Sequence, residues 1–372
     1  MTKVAIVTPN FSLGGAERWI NQLLQYVPND RVQWTGLCLS GFGGADPLLC
    51  RTAAKYVKLH TNPVARRSPL AHPFNPDPAD IYKLHATFPQ AVEAAAEGAD
   101  MILTWGSANV ESWFPRIKIP RISCSHATAT EPAPLYPISG LTHLVGCAEI
   151  ALAYFDNRPG LRDLPRHVIY NGCDTSHITP HIGRQAQRAK WGVTNEKVIG
   201  HIGRHAPEKN YTALAKAGPC LPADFRMVYY GRDQINYFSP AADLLELADA
   251  SDGKIQCFMP EPHVGDVLAG FDALVIASHY EACSLAMLEA WFSGTPVVAT
   301  PAGSVPELQK KFGELVIEVP MNPDPPTLAA ACEKAVGSYG RQVAAHAKRI
   351  AEANFTIQQM ANNWADYLEQ VC

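Results

Sequence analysis

Glu281 and Glu289 are the two side chains whose spacing most invites chemistry in this sequence. They lie within Phe271–Leu308, FDALVIASHYEACSLAMLEAWFSGTPVVATPAGSVPEL. The segment opens on an apolar strand, Ala273 to Ala277, and passes through a short polar turn that carries Glu281. A helix is expected from Ser284 to Ser293. Gly294 suits the position after it, because a residue without a Cβ enters the left-handed region freely. Pro296 stops any continuation and begins a second apolar strand, Val297 to Thr300. Strand, turn, helix, glycine and strand make a βαβ unit of a parallel sheet. The helix N-terminus would offer unpaired amides and a partial charge of about +0.5, which suits a phosphate. Small residues at Ala282, Cys283 and Ser284 would let a ligand approach the backbone. One acid could then face the sugar of a phosphorylated ligand while the other reaches a second hydroxyl-bearing part. In the plainer reading Glu281 caps the helix and Glu289 is solvated; spacing alone does not separate the two.

The rest of the chain must hold that turn in place. A length of 372 residues exceeds what one ordinary core supports and predicts two domains. Hydrophobic content of 47% with 18% charged residues describes a globular protein. A formal net charge of −4 argues against a general nucleic-acid binder, whose signature is a strong basic excess. No apolar run approaches the roughly 20 residues that span a bilayer. The opening MTKVAIVTPNF turns polar too soon for a signal peptide and reads as a first strand. Ten cysteines are scattered without a C-x-x-C pair or zinc spacing. Cys38, Cys124, Cys147 and Cys257 sit in apolar runs as buried thiols, as expected in a reducing cytoplasm.

Lys3 to Thr8 reads as a strand buried on both faces. A helix with Trp19, Ile20, Leu23, Leu24 and Val27 on one side follows it. Gly14-Gly15 between the two is a phosphate-approach signal, although it is not the G-x-G-x-x-G of a dinucleotide site. Further strands are expected at Val32–Leu39, Asp100–Trp105, Arg121–Cys124, His143–Cys147 and His167–Tyr170. Helices are expected near Ala79–Gly98 and Ala148–Phe155. A polar linker, Ser176 to Arg184, precedes a second alternating half with strands at Lys197–Gly203, Phe225–Gly231 and Lys254–Phe258. That half also carries a helix near Pro240–Ala250 and three closing helices, Thr327–Val336, Ser338–Asn354 and Ile357–Val371. The alternation predicts α/β, doubly wound sheets. Arg51, Lys55, Lys58, Arg66 and Arg67 occur without an acid between them. They form either a solvated surface or a patch for anionic headgroups or a phosphorylated acceptor.

Glu281-Ala-Cys-Ser-Leu-Ala-Met-Leu-Glu289, continuing into EAWFSGTPVVAT with Gly303-Ser304 and Glu307, resembles the E-x7-E region of family 4 nucleotide-sugar glycosyltransferases. That family usually reads E-G-F-G-x-x-x-x-E, so two glycines and an aromatic are replaced here. Gly14-Gly15-Ala16-Glu17 is similar to its G-G-A-E loop, Asn171-Gly-Cys-Asp174 to its N-G-V-D turn, and Arg204 with Lys209-Asn210 to its G-R-x-x-x-x-K-N. Ser125-His126 aligns with a histidine that contacts the donor sugar. The resemblance covers nearly the whole chain and is weakest between Gly41 and Pro89.

The resemblance implies the GT-B fold: two Rossmann-like doubly wound domains facing across a cleft. Residues 1–180, completed by helix 357–372, would form the acceptor-side domain, and 181–356 the nucleotide-sugar domain. The implied activity is retaining, metal-independent transfer of a sugar from a nucleotide diphosphate-sugar, UDP-sugar first, to an acceptor hydroxyl in glycan or glycolipid synthesis. His126, Arg204, Lys209 and Glu281 are the expected catalytic residues. The donor would be held by Gly14, Gly15, Arg204, Lys209, Phe258, Met259, Pro260, Cys283, Ser284, Leu285 and Glu289. Phe258-Met-Pro260 would meet the base, Glu289 the ribose, and Glu281 with His126 the sugar. A fixed Arg and Lys stabilise charge that grows on a departing diphosphate, so the effect is catalytic. Arg204 could instead form a surface ion pair with Glu208. No metal is expected, since no Asp-X-Asp occurs and the two cations take its place; the nucleotide-sugar is a co-substrate, with no separate cofactor. The acceptor could be a glycan, glycolipid or small molecule, a nucleic acid being disfavoured. A cytoplasmic location is expected, with peripheral contact at the inner membrane face through residues 51–67. Two alternatives stand beside this: a sugar-nucleotide 2-epimerase on the same scaffold, and a non-catalytic sugar-nucleotide-binding protein.

Overall fold

The computed structural model describes the chain except residues 9–14, 40–46, 62–88, 106–113, 115–116, 127–139, 157, 159, 234–238 and 262. It divides into two compact units, one formed by Met1–Asn171 with Ile357–Cys372 and the other by Gly172–Thr356. The two crossings lie side by side, since Cys173 N–H donates to the Phe355 carbonyl at 2.8 Å.

The first unit is built on strands β1 (Thr2–Thr8), β2 (Val32–Leu39), β3 (Leu59–Thr61), β4 (Met101–Trp105), β5 (Arg121–Ser125), β6 (His143–Gly146) and β7 (Arg166–Val168). They pair in parallel in the order β3-β2-β1-β4-β5-β6-β7. The helices are α1 (Gly15–Tyr26), α2 (Pro47–Ala53), α3 (residues 89–95) and α4 (Glu149–Leu152), joined by the last helix of the chain. Val4, Ile6 and Leu103 face Trp19, Ile20, Leu23, Trp364 and Leu368 in one core layer, while Ala5, Val7 and Ile102 face Val92 and Ala95 in the other. Strands covered on both faces must be apolar throughout, which is why β1 reads VAIV with no alternation.

The second unit repeats the plan. Its strands are β8 (Lys197–Ile202), β9 (Phe225–Tyr230), β10 (Ile255–Phe258), β11 (Ala273–Ile276), β12 (Val297–Ala299) and β13 (Ile317–Glu318). They are parallel in the order β10-β9-β8-β11-β12-β13. In chain order its helices are α5 (Thr175–Ile178), α6 (Arg184–Lys190), α7 (Thr212–Ala217), α8 (Ala242–Asp249), α9 (Val264–Gly270), α10 (Leu285–Ser293), α11 (Val305–Phe312), α12 (Pro325–Val336) and α13 (Ser338–Asn354). Helix α14 (Ile357–Val371) then returns to the first unit, where Arg31 Nη2 meets Asp366 at 2.7 Å and Glu369 as well.

In both sheets the strand order reverses once, between β1 and β4 and between β8 and β11. Loops that leave the carboxyl ends of the strands at such a reversal diverge and open a crevice, the usual ligand position in an open α/β sheet. In the second unit those loops run from Gly203 to Asn210, after β8, and from Ala277 to Ser284, after β11. Five strands end a residue short of the expected bounds, β6 at Gly146, β8 at Ile202, β9 at Tyr230, β11 at Ile276 and β12 at Ala299, and β7 ends two short at Val168. The Pro-rich stretch from Pro63 to Pro78 and the first part of the expected Ala79–Gly98 helix lie outside the described residues.

Candidate active site at the switch point of the second unit

Two charged residues 72 positions apart meet here: Lys209 Nζ lies 2.8 Å from Glu281 Oε1. Each is placed by a tight local turn. Pro207–Lys209 is a 3-10 turn, closed by Asn210 at φ 46°. Asparagine tolerates this left-handed conformation better than most residues. The turn is tied to the second loop by His279 N–H donating to the Glu208 carbonyl at 2.8 Å. Glu281 is fixed in turn by Ser278, whose hydroxyl donates to Oε1 at 2.9 Å. Thr300 Oγ1 donates to the Ser278 carbonyl at 2.6 Å, so β12 braces the whole corner.

The backbone around Glu281 is packed against Gly303, at φ +63°. A Cβ there would stand 2.6 Å from the Ala282 carbonyl oxygen and 2.8 Å from Glu281 Cβ, so only glycine fits. Ser304 N–H donates to that Ala282 carbonyl at 2.8 Å. Glu281 lines a small recess of about 10 Å³ together with Ile276, Ser284, Met287, Thr300 and Ser304. That is room for no more than one water.

Helix α10 starts at this corner. Ser284 is its N-cap and accepts from Met287 N–H at 3.4 Å, while Gly294 ends it at φ 77°. Ala282 and Cys283 are buried, and the amides of Cys283, Ser284 and Leu285 belong to the same tip. Glu289, on the second turn, is 5% exposed, so it is not a solvated helix residue. A buried carboxylate needs partners, and its placement one helical turn below the tip is not explained by helix propensity.

Arg204 projects from the same loop as Lys209. Its Nη2 lies 2.9 Å from Glu208 Oε1, with 42% of the side chain exposed, so it makes the surface ion pair that the sequence allows. Both cations thus have a carboxylate partner in this state. The Lys209–Glu281 pair is the more enclosed, at 24% and 14% side-chain exposure.

Phe258 ends β10 and stacks on Tyr230, ring centroids 5.2 Å apart, and Met259 and Pro260 follow it on the surface. The Tyr230 hydroxyl accepts from Trp191 at 3.0 Å and donates to Glu261 at 3.0 Å, which anchors the segment. His126 belongs to the first unit, one residue past β5. Its ring packs on Trp19 at 4.6 Å and Trp105 at 6.4 Å, and its Nε2 lies 3.5 Å from Cys124 Sγ. Loss of hydration lowers its pKa to about 4, so it is neutral near pH 7. Gly15 begins α1 and is exposed, whereas Gly14 lies outside the described residues. The second unit therefore brings together Lys209, Glu281, the α10 tip and the Arg204 loop. Sequence reasoning did not single out Ser278 or Thr300, although their places beyond β11 and β12 at the switch point were available as a signal.

The family described as glycosyl transferases group 1 matches residues 196–337. D-inositol 3-phosphate glycosyltransferase of Mycolicibacterium smegmatis is 29% identical over 144 residues, covering 37% of this chain and 33% of that protein. The match thus spans about a third of the length of that relative. Lipopolysaccharide core biosynthesis mannosyltransferase LpsB of Rhizobium meliloti is 27% identical over 218 residues, 56% of this chain and 62% of its own. Among solved structures, Anabaena Alr3699/HepE in complex with UDP and glucose superposes with a TM-score of 0.78 at 20% identity, covering 100% of both chains. WaaG, a glycosyltransferase involved in lipopolysaccharide biosynthesis, gives 0.71 at 15% identity over 98% of this chain and 99% of its own. The fold is GT-B: two α/β units, each on a parallel doubly wound sheet.

Among the described residues, no helix is long and apolar enough to cross a membrane.

Proposed function

We propose that this chain is a glycosyltransferase that moves a sugar from a nucleoside diphosphate-sugar to an acceptor hydroxyl, with retention at the anomeric carbon. The observation that carries this reading is the Lys209–Glu281 pair at 2.8 Å, set at the tip of α10 where two switch-point loops meet. A cation, a helix N-terminus and a carboxylate are thereby gathered within one corner. The cation and helix tip suit a diphosphate, and the carboxylate suits the sugar hydroxyls next to it.

In this mechanism the bond between the anomeric carbon and the β-phosphate oxygen breaks while the acceptor oxygen bonds to the same face. The acceptor proton passes to the departing phosphate. Negative charge builds on the diphosphate as the bond lengthens, and Lys209, Arg204 and the amides from Cys283 to Leu285 stabilise it most in the transition state. Glu289 takes the ribose hydroxyls and the Phe258–Pro260 segment the base. Glu281 orients the sugar, and His126 is assigned the same task on the family resemblance alone. The two cations supply the charge that a metal ion supplies elsewhere, so the reaction proceeds without one.

UDP is the first candidate nucleotide, because UDP is bound in the similar Anabaena structure. The lipopolysaccharide core mannosyltransferase relative supports a glycan or glycolipid acceptor, and the D-inositol 3-phosphate glycosyltransferase supports a small phosphorylated one. Arg51, Lys55 and Lys58 are exposed beside Tyr56, at 39% exposure, and are the proposed contact with an anionic surface. A thermal-shift screen of UDP-, GDP- and ADP-sugars tests the donor assignment. At 100 times its dissociation constant the true donor adds about 2.7 kcal/mol of stability. A flat response to all three classes would remove the reading.

A further inference from the structure

His126 is half-buried, and its ring is held by three neighbours in the first unit. Trp19 of α1 lies 4.6 Å away between ring centroids, tilted by 56°. Trp105, at the end of β4, meets it edge-on at 6.4 Å, and Cys124 Sγ lies 3.5 Å from Nε2. An imidazole turns about a broad χ2, so packing rather than rotamer preference decides which ring atoms it presents.

Two of these neighbours are fixed from within the sheet. Cys124 belongs to β5, and Trp105 Nε1 donates to Thr8 Oγ1 of β1 at 2.6 Å. Trp19, 1% exposed, is backed instead by Trp364 of α14, with centroids 5.4 Å apart and 56° between the planes. Among the described residues, His126 and Trp364 are the rings that touch Trp19. Trp364 is fully buried; Tyr367 meets it edge-on at 6.2 Å and stacks on His167 at 4.9 Å. A column of rings therefore runs from His167 through Tyr367, Trp364 and Trp19 to His126, with α14 supplying its middle. Close-packed side chains pass a displacement on, because no void absorbs it.

We propose that Trp19 and Trp364 are positioning residues for His126, so that α14 sets the orientation of the imidazole through a pair of indoles. This rests on the assignment of His126 to the sugar made above. A purely structural Trp364 would govern stability alone, whereas a positioning one also governs the step in which His126 takes part.

Trp364→Leu empties the space behind Trp19, and Trp364→Phe keeps a ring there. Turnover is followed as consumption of UDP-glucose, and UDP binding by calorimetry. Trp364→Leu should slow turnover at least about fivefold with UDP affinity unchanged, and Trp364→Phe should recover most of the loss. In a His126→Ala background, Trp364→Leu should cost less than about twofold more, since the ring it positions is gone. In proton NMR of the ligand-free protein, the His126 ring resonances should move in Trp364→Leu. Wild-type turnover in Trp364→Leu, an equal loss in the His126→Ala background, or no recovery in Trp364→Phe overturns the inference. If Trp364→Leu does not fold, the NMR of Trp364→Phe decides in the same way. If His126→Ala keeps the wild-type rate, or the wild type leaves UDP-glucose intact, the reading beneath the proposal has failed. The NMR then decides the inference alone: His126 resonances indifferent to Trp364→Leu overturn it.

Discussion

Glu281→Gln should change nucleotide binding and turnover in opposite directions. In the ligand-free state Glu281 neutralises Lys209 across 2.8 Å and would face an incoming diphosphate with like charge. At an effective dielectric of about 20, that contact is worth about 6 kcal/mol of gross Coulomb energy. Side-chain exposures of 24% and 14% leave the pair partly hydrated, and desolvation offsets most of the gross value. A net of about 1–2 kcal/mol is reasonable for such a pair. Glutamine keeps the acceptor for Ser278 but drops the charge, so Lys209 becomes available to phosphate. Free UDP should therefore bind about 5- to 30-fold more tightly to Glu281→Gln in calorimetry. Turnover should fall at least about tenfold, because a charge-assisted hydrogen bond to the sugar is roughly twice as strong as a neutral one. UDP binding that weakens, or turnover that persists, would refute the shared-lysine reasoning.

Other consequences follow from the same geometry. Arg204→Ala should lower turnover at least about tenfold while shifting stability by less than about 1 kcal/mol, since its pair with Glu208 is exposed; a thermal melt beside a rate assay checks both. Gly303→Ala should destabilise by about 2–4 kcal/mol in urea titration, because it combines a strained φ with a Cβ 2.6 Å from the Ala282 carbonyl. Acid should weaken the second unit early. His201 and His205 are buried and neutral, with pKa values near 3 and 4 against 6.5 when unfolded. Their contribution is complete above pH 6.5, declines as pH falls below that value, and is fully lost once pH has passed the folded values. At pH 5 each has given up about 2 kcal/mol, so urea midpoints should drop between pH 7.5 and 5 and drop less in His201→Asn.

Much of the fold was legible because parallel strands covered on both faces must be continuous apolar runs. Val32–Leu39 and the helices Ser338–Asn354 and Ile357–Val371 match the expected bounds. Helix α11 was missed although Val305, Leu308 and Phe312 recur at helical spacing, whereas other missed elements had no such pattern. Strands β3 and β13 are three and two residues long. Helix α6 reads RQAQRAK, with no apolar stripe. It is held by tertiary contacts instead, Arg188 reaching the Gly270 carbonyl at 3.0 Å and Asp272 at 3.1 Å. Motif spacing pointed to the corner at Glu281, but not to its wiring. That Lys209 rests on Glu281, that Thr300 holds the Ser278 carbonyl, and that His201 is tied to the Val275 carbonyl all depend on contacts between residues far apart in sequence.

The central claim is that a departing diphosphate is received by Lys209 and the tip of α10. The most direct measurement is a crystal structure of the protein with UDP. The account predicts a pyrophosphate hydrogen-bonded to Lys209 Nζ and to amides between Cys283 and Leu285, with the ribose on Glu289. A nucleotide seated elsewhere in the second unit, its phosphates out of reach of both Lys209 and that helix tip, would contradict it.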